Sequence, residues 1–373
     1  MALDPRAGIP LPFGRDTLRL VRVPRSRAHA GGEGPAWPIR RFNGDGMPSE
    51  TISVAMATCE GAAFVADQLE SIAAQTRAPD ELIICDDAST DETLQIIEAF
   101  AEKTPFPTRI ETAMERKGAT ANFESALSLC QGSIILLADQ DDVWKPNKID
   151  KLTTALEAQP DAGLVFSNGE IVDAHLQSTG HDLWKALFFT LAEQRRVQHG
   201  EAPAVFARRV VAAGTTLAFR ARFLDLLLPF PDLPSIHDAW IAFIIACQAP
   251  CALVDSSLIQ YRLHGKNQIG IRPRGLIDQI RQARQQITRQ AFDQDLIFFR
   301  GALERLCSQS PGLSPESPVR TLIEEKIAHS QVRSEMAASI WQRIPVVSRE
   351  WLSGRYKRCA YGWKSAAQDL WLR

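Results

Sequence analysis

The chain has 373 residues, 42 basic and 44 acidic side chains, and a formal net charge of -2. That length buries one large core or two smaller ones, and the near balance of mixed charge argues against a nucleic-acid-binding surface over the whole molecule. Seven scattered cysteines (59, 85, 130, 247, 251, 307 and 359) read as reduced thiols of a cytosolic protein, and no apolar run is long enough for a membrane span.

Residues 1–48 are rich in Pro, Gly and Arg and show no apolar repeat. Such a segment cannot offset its ordering entropy by burial, so a disordered extension is expected. It lacks the apolar centre of a secretory signal. Regularity begins just after Met47, which makes Met47 a candidate start.

From there strands and helices alternate. Ile52 to Ala57 reads as a buried strand, and Val65, Leu69, Ile72 and Ala73 recur at helical spacing. Leu82 to Cys85 is a second strand running into Asp86-Asp87-Ala88-Ser89-Thr90-Asp91. A helix follows through Leu94, Ile97 and Phe100, then a short strand from Arg109 to Thr112 and a helix through Phe123, Ala126, Leu127 and Cys130. Ile134 to Ala138 is the central strand, and it ends in Asp139-Gln140-Asp141-Asp142-Val143-Trp144. Crossovers of this length imply βαβ units and a doubly wound, mostly parallel sheet.

Ligands of open α/β sheets sit beyond the carboxyl ends of the strands. Three carboxylates within four positions repel one another there, and a divalent cation with oxygen ligands, Mg²⁺ or Mn²⁺, relieves that repulsion. An acidic helix start before Pro146 is the plainer alternative.

Farther on, Leu164-Val165-Phe166 and Ile171-Val172 read as strands, whereas residues 178–213 have no clear period. Gly214 to Phe219 reads as a strand or turn, and a helix through Leu224 and Leu228 stops at Pro229. His237-Asp238-Ala239-Trp240 opens an apolar helix, and Ala252-Leu253-Val254 and Leu258 to Arg262 are two short strands. Residues 274–373 read as helices with breaks at Pro311, Pro315 and Pro345.

Five motifs in this order resemble the inverting nucleotide-sugar glycosyltransferases of family two, which have the GT-A fold, and most of all their bacterial rhamnosyltransferase-type branch. They are Ala57-Thr58-Cys59-Glu60-Gly61, the Asp86–Asp91 turn, Ala138–Trp144, Ser235-Ile236-His237-Asp238-Ala239-Trp240 and Tyr261-Arg262-Leu263-His264-Gly265-Lys266-Asn267. The resemblance implies a Rossmann-like sheet flanked by helices over residues 49–270, with a C-terminal helical region over 271–373. By position, Ala57, Thr58, Glu60 and Asp87 would line the nucleotide pocket. Asp139 would meet the ribose or the metal shell, Asp141 would hold the metal at the diphosphate, and Asp142 and His264 would join it. Asp238 would be the catalytic base; read without the family it is a helix cap, and His264 a surface histidine. Cys59 and Glu60 stand where relatives carry an aromatic and Asn, so a ring that would stack on the base is missing.

The implied reaction moves a sugar from a nucleoside diphosphate, with dTDP-rhamnose first in line, to a glycan or lipid-linked acceptor of cell-surface polysaccharide. Asp139 to Val143 also satisfies the D-x-D-x-V of haloacid-dehalogenase phosphohydrolases, although that motif normally lies on a first strand. Sugar nucleotidyltransferases would need a Gly-rich basic loop after the first strand, and none is present. A degenerate, nucleotide-binding scaffold is the non-enzymatic alternative.

The final 33 residues hold Trp341, Trp351, Trp363 and Trp371, with seven basic residues against two acidic ones. Either these rings pack the last helices onto the catalytic domain, or they rest a cytoplasmic enzyme on the inner membrane face.

Overall fold

The computed structural model describes residues 50–232, 237–264, 288–309 and 313–371. The N-terminal extension, Met47, Ser235, Ile236, residues 265–287 and Pro311 lie outside the described residues.

The first half is built as the alternation dictates. Strand β1 (Ile52–Thr58) is followed by α1 (Val65–Ala73), β2 (Glu81–Asp86), α2 (Thr93–Ala101), β3 (Thr108–Thr112), α3 (Ala119–Leu129) and β4 (Ile134–Asp139). These strands are parallel in the order β3-β2-β1-β4. Alternate residues feed opposite faces, as the pleat requires. Ala55, Ile83, Ile135 and Leu137 enter one core cluster. Val54, Met56, Leu82, Ile84, Ile134 and Leu136 enter the other. The chain leaves β1 toward β2 on one side and returns to β4 on the other. The strand order therefore reverses between β1 and β4, and a crevice opens at their carboxyl ends. Register places Thr58 opposite Asp86, and Ala57 opposite Asp139, along that edge.

The second half is mixed, so parallel pairing does not extend across the whole sheet. Next come β5 (Val143–Trp144), α4 (Lys148–Glu157), β6 (Leu164–Val172), β7 (Ser178–Asp182), α5 (Leu183–Ala186), α6 (Leu191–Arg196) and α7 (Ala202–Phe206). Strand β8 (Leu217–Arg220), α8 (Leu224–Leu227), α9 (His237–Ala246) and β9 (Cys251–Arg262) complete this half. Strand β8 runs antiparallel to both β4 and β6, β7 runs antiparallel to β6, and β6 is parallel to β9. The segments expected as two strand pairs are single strands. Register shifts between Ser167 and Glu170 absorb the polar interruption that looked like a break. Gly169 is required there, because a Cβ would lie 2.6 Å from the Leu183 side chain.

The described C-terminal residues are helical: α10 (Arg289–Gln309), α11 (Pro318–Ser334), α12 (Ile340–Leu352), α13 (Arg355–Cys359) and α14 (Trp363–Trp371). Phe298 and Phe299 of α10 pack edge-on against Trp240 and Phe243 of α9. Pro345, expected as a break, lies inside α12. Its missing N–H leaves a carbonyl on the exposed side of the helix, where water can satisfy it.

Polar groups hold α11 to the last helices. Arg333 makes a two-pronged pair with Asp369 at 2.7 and 3.0 Å, and the Tyr356 hydroxyl donates to the same carboxylate at 2.7 Å. Asp369→Ala would leave a buried guanidinium uncompensated. A loss of about 3–5 kcal/mol of unfolding free energy is expected by denaturant titration; a loss below about 1 kcal/mol would show that water replaces the carboxylate.

His329 Nδ1 lies 2.8 Å from Glu350 Oε2, and Arg355 reaches the other oxygen at 2.7 Å. Burial lowers the His329 pKa. Burial alone would raise that of Glu350, but its bond to His329 and the Arg355 charge bring it below the ordinary carboxylate value. Both groups thus bind protons more weakly folded than unfolded, so stability is lost as the pH is lowered. The decline should begin near the unfolded histidine pKa, about 6.5, and steepen through the carboxylate range. Thermal melts from pH 7.5 to 4 test this, and His329→Gln should remove the upper part of the decline.

Candidate active site

The edge where β1, β2 and β4 end carries the polar residues. The Thr58 hydroxyl donates to Asp86 Oδ2 at 2.7 Å, and Asp86 also accepts from Ser89 N and Oγ. Both Asp87 oxygens accept main-chain amides, from Lys117 at 2.6 Å and Gly118 at 2.8 Å. Asp87 therefore ties the loop before α3 to the end of β2 and fixes one wall of the crevice. Asn122 closes that wall by donating to the carbonyls of Thr58 and Cys85.

Glu60, just beyond β1, has a left-handed backbone, φ 51°, and its amide donates to Ser89 Oγ. Its carboxylate accepts from Thr90 N and Oγ1 at 3.1 and 3.0 Å and pairs with Arg116. Glu60, where the family pattern is departed from, thus ties the end of β1 to the Asp86–Asp91 turn and to the loop before α3. Ala57, half-buried, is the β1 partner of Asp139 in the register.

Gln140, between the acids, is a tether. Its Oε1 accepts from Cys59 N at 2.7 Å and its Nε2 donates to Cys59 O at 2.9 Å. Gly61 is demanded by this contact, since any Cβ would collide with the Gln140 amide.

The three acids beyond β4 separate in space. Asp141 meets His264, from the end of β9, with Nε2 to Oδ2 at 2.8 Å. The imidazole stacks on Phe64 with ring centres 4.4 Å apart. Asp139 is half-buried, and burial, followed by repulsion from Asp141 and Asp238, pushes its carboxyl up to about 7. Asp142, expected beside Asp141 and His264 as a third metal ligand, turns inward. It is buried, and its Oδ1 accepts from Arg262 N at 3.1 Å. Burial and its acidic neighbours raise its pKa well above the ordinary value. Among the described residues no three His, Cys, Asp or Glu side chains converge as a metal cage.

Lys148, one turn into the structure that follows the acids, answers their charge from below. It is fully buried, donates to Thr215 O at 2.5 Å, and holds its ammonium 3.5 Å from the centre of the Trp144 ring. Burial lowers its pKa, against the pull of Asp142 and Asp139. Sequence reasoning passed over Lys148 and Gln140. The signal for Lys148 was a cation at the start of an amphipathic helix on a position that also has to be buried.

Asp238 enters from the first turn of α9. Gly214 makes room for it, because a Cβ there would lie 3.3 Å from the Asp238 Cβ and 3.4 Å from His237 Nε2. Asp238 Oδ1 accepts from Ala239 N at 2.7 Å, and its charge reaches Asp139. His237 stacks on Phe123 at 4.2 Å.

This row of acids at a switch-point crevice coincides with a family match. Residues 53–212 match Glycosyl transferase family 2. Over those residues the chain is similar to that family. An uncharacterized glycosyltransferase of Nostoc sp. is 24% identical over 227 residues, covering 58% of this chain and 66% of that protein. The chain spans only 30% of the length of three mycobacterial relatives that are 36% identical over 105 residues. The dTDP-rhamnosyl transferase RfbG of Shigella flexneri is 26% identical, covering 58% of this chain and 73% of that one. Among solved structures, Staphylococcus aureus TarS 1–349 with UDP aligns at a TM-score of 0.48 and 17% identity, covering 83% of this chain and 88% of that one. The matched residues place the D-x-D at the end of the fourth strand rather than the first, and nothing in the comparisons supports the phosphohydrolase alternative.

The donors present suit a divalent cation. Asp139 and Asp141 offer oxygens and His264 an imidazole nitrogen, and these acids lie near the buried Lys148 ammonium, whose charge is smaller than theirs. Ions of this kind are commonly held by one or two protein carboxylates plus substrate phosphates, so a three-residue cage is not required.

Proposed function

We propose that the chain transfers a sugar from a nucleoside diphosphate to a hydroxyl of a glycan or lipid-linked acceptor, with inversion at the anomeric carbon. The observation that carries this reading is the meeting of Asp139, Asp141, Asp238 and His264, from three distant segments, at the β1/β4 crevice. Residues 49–270 would form the catalytic domain and 271–373 a helical appendage.

In this reading Thr58, Asp87, Ala57 and the Glu60–Arg116 pair shape the nucleotide pocket, and Asp139 faces the ribose or diphosphate. Asp141 and His264 would hold Mg²⁺ or Mn²⁺, which supplies Lewis-acid stabilisation of the departing diphosphate. Asp142 keeps Asp141 and β9 in place through Arg262 N and acts from behind. Asp238 takes the acceptor hydroxyl proton as the new O–C1 bond forms, while the C1–O–phosphate bond breaks and its electrons leave with the diphosphate. Such a base contributes about 10²–10⁴-fold.

For the donor, thymidine or uridine diphosphate sugars rank first. Supporting relatives are RfbG and the E. coli enzyme WfgD, a UDP-Glc:alpha-D-GlcNAc-diphosphoundecaprenol glucosyltransferase 26% identical over 127 residues. The WfgD acceptor also supports a lipid-linked acceptor here.

Thermal-shift titration with UDP, dTDP and GDP, each with and without Mn²⁺, tests the reading. At 100-fold excess over Kd, stabilisation of about 2.7 kcal/mol is expected from the cognate nucleotide. A shift with GDP alone would reverse the donor assignment, and no shift with any nucleotide would overturn the transferase reading.

A further inference from the structure

A surface helix normally turns its apolar stripe inward and its charges outward. Helices α12 and α14 depart from this: each buries a carboxylate and leaves large apolar rings outside. The buried residues of α12 are Arg343, Val347 and Glu350, while Trp341 is 79% exposed and Leu352 84%. In α14 Ser365, Ala366 and Asp369 are buried, while Trp363 and Trp371 are 66% and 72% exposed. The two helices pack against each other. Their interior is joined by the Arg333–Asp369 and His329–Glu350 pairs, so the exposed rings are surplus to the local core. This overturns the plainer expectation that the tryptophans pack the terminal helices onto the catalytic domain. Exposed apolar surface on this scale marks an interaction site.

Charge selects the occupant. The exposed charged residues of 340–371 are Arg349, Lys357, Arg358 and Lys364, all cations, whereas both carboxylates, Glu350 and Asp369, are buried. A second copy of the chain would bring like charges face to face. An anionic bilayer would meet Arg349, Lys357 and Lys364 with phosphates, Arg358 being already paired with Glu325, and tryptophan is the side chain that favours the headgroup layer. We propose that α12 and α14 form a docking surface for an anionic membrane face, with the exposed tryptophans seated at headgroup level and the cations on lipid phosphates. No helix among the described residues is long and apolar enough to cross a bilayer, so this contact is peripheral.

Flotation of the full chain with vesicles tests the proposal independently of catalysis. With phosphatidylcholine containing phosphatidylglycerol at low salt the protein should float, and with phosphatidylcholine alone or in high salt it should not. Trp341→Ser with Trp363→Ser should abolish flotation. Lys357→Glu with Lys364→Glu should weaken partitioning about 10-fold or more. Both pairs are exposed, so melting temperature and nucleotide-induced stabilisation should be unchanged. That separates failure here from failure of the transferase reading. Absence of flotation at low salt, or equal flotation with neutral vesicles, overturns the proposal. So does a wild-type dimer in light scattering that the Trp substitutions convert to monomer without any vesicle binding.

Discussion

Asp141→Asn should fold normally and lose at least about 10²-fold in turnover of the donor, a loss in line with removing one preorganised electrostatic stabiliser from an active site. Asp141 is the acid beyond β4 that contacts His264, and it is partly open to the crevice, whereas Asp142 is enclosed. Amide for carboxylate keeps the size and a hydrogen-bond partner for the imidazole but removes the charge a cation would need. Nucleoside diphosphate release measures the rate, and calorimetric Mn²⁺ titration with UDP or dTDP present measures the cation directly. Full Mn²⁺ affinity and full rate in the variant would remove Asp141 from the site. Asp142→Asn should act differently. Asp142 faces Arg262 N and Lys148 rather than the crevice, so its replacement should lower stability while the Mn²⁺ affinity falls little.

The second large effect is expected at Asp238. Asp238→Asn should lower kcat by at least about 100-fold with donor affinity nearly unchanged, because a proton acceptor acts on the acceptor hydroxyl and not on the nucleotide. The residue is positioned for this by Gly214, and its charge is felt at Asp139 across the crevice. A helix-terminal role alone would give a different pattern: asparagine caps about as well as aspartate, so kcat and stability would both stay near wild type. Measuring kcat and donor KM separately for the variant distinguishes the two, and a near-normal kcat reduces Asp238 to a cap.

Much of the site was legible along the chain because its signals are local. An apolar strand that must be buried on both faces, followed at once by acids, fixes Ile134–Asp139 and its functional end without knowledge of any other segment. The same holds for β1, β2 and the helices between them, whose spacing reports the period of the structure they form. Other features depend on partners far away in sequence. Asp141 and Asp142 are indistinguishable neighbours until β9 folds back and offers His264 to one and the Arg262 amide to the other, more than a hundred residues later. Gln140 reads as filler between two acids until Cys59 is brought beside it. Residues 178–213 carry too many polar positions to show a period; they form the β7 strand on β6 and short helices held where Trp184, Phe189 and Phe206 meet Phe166. In α12 the sequence determined the amphipathic period, but not which face would be covered. Tertiary structure decided that by giving the charged face its buried partners in α11, α13 and α14, and leaving the tryptophans outside.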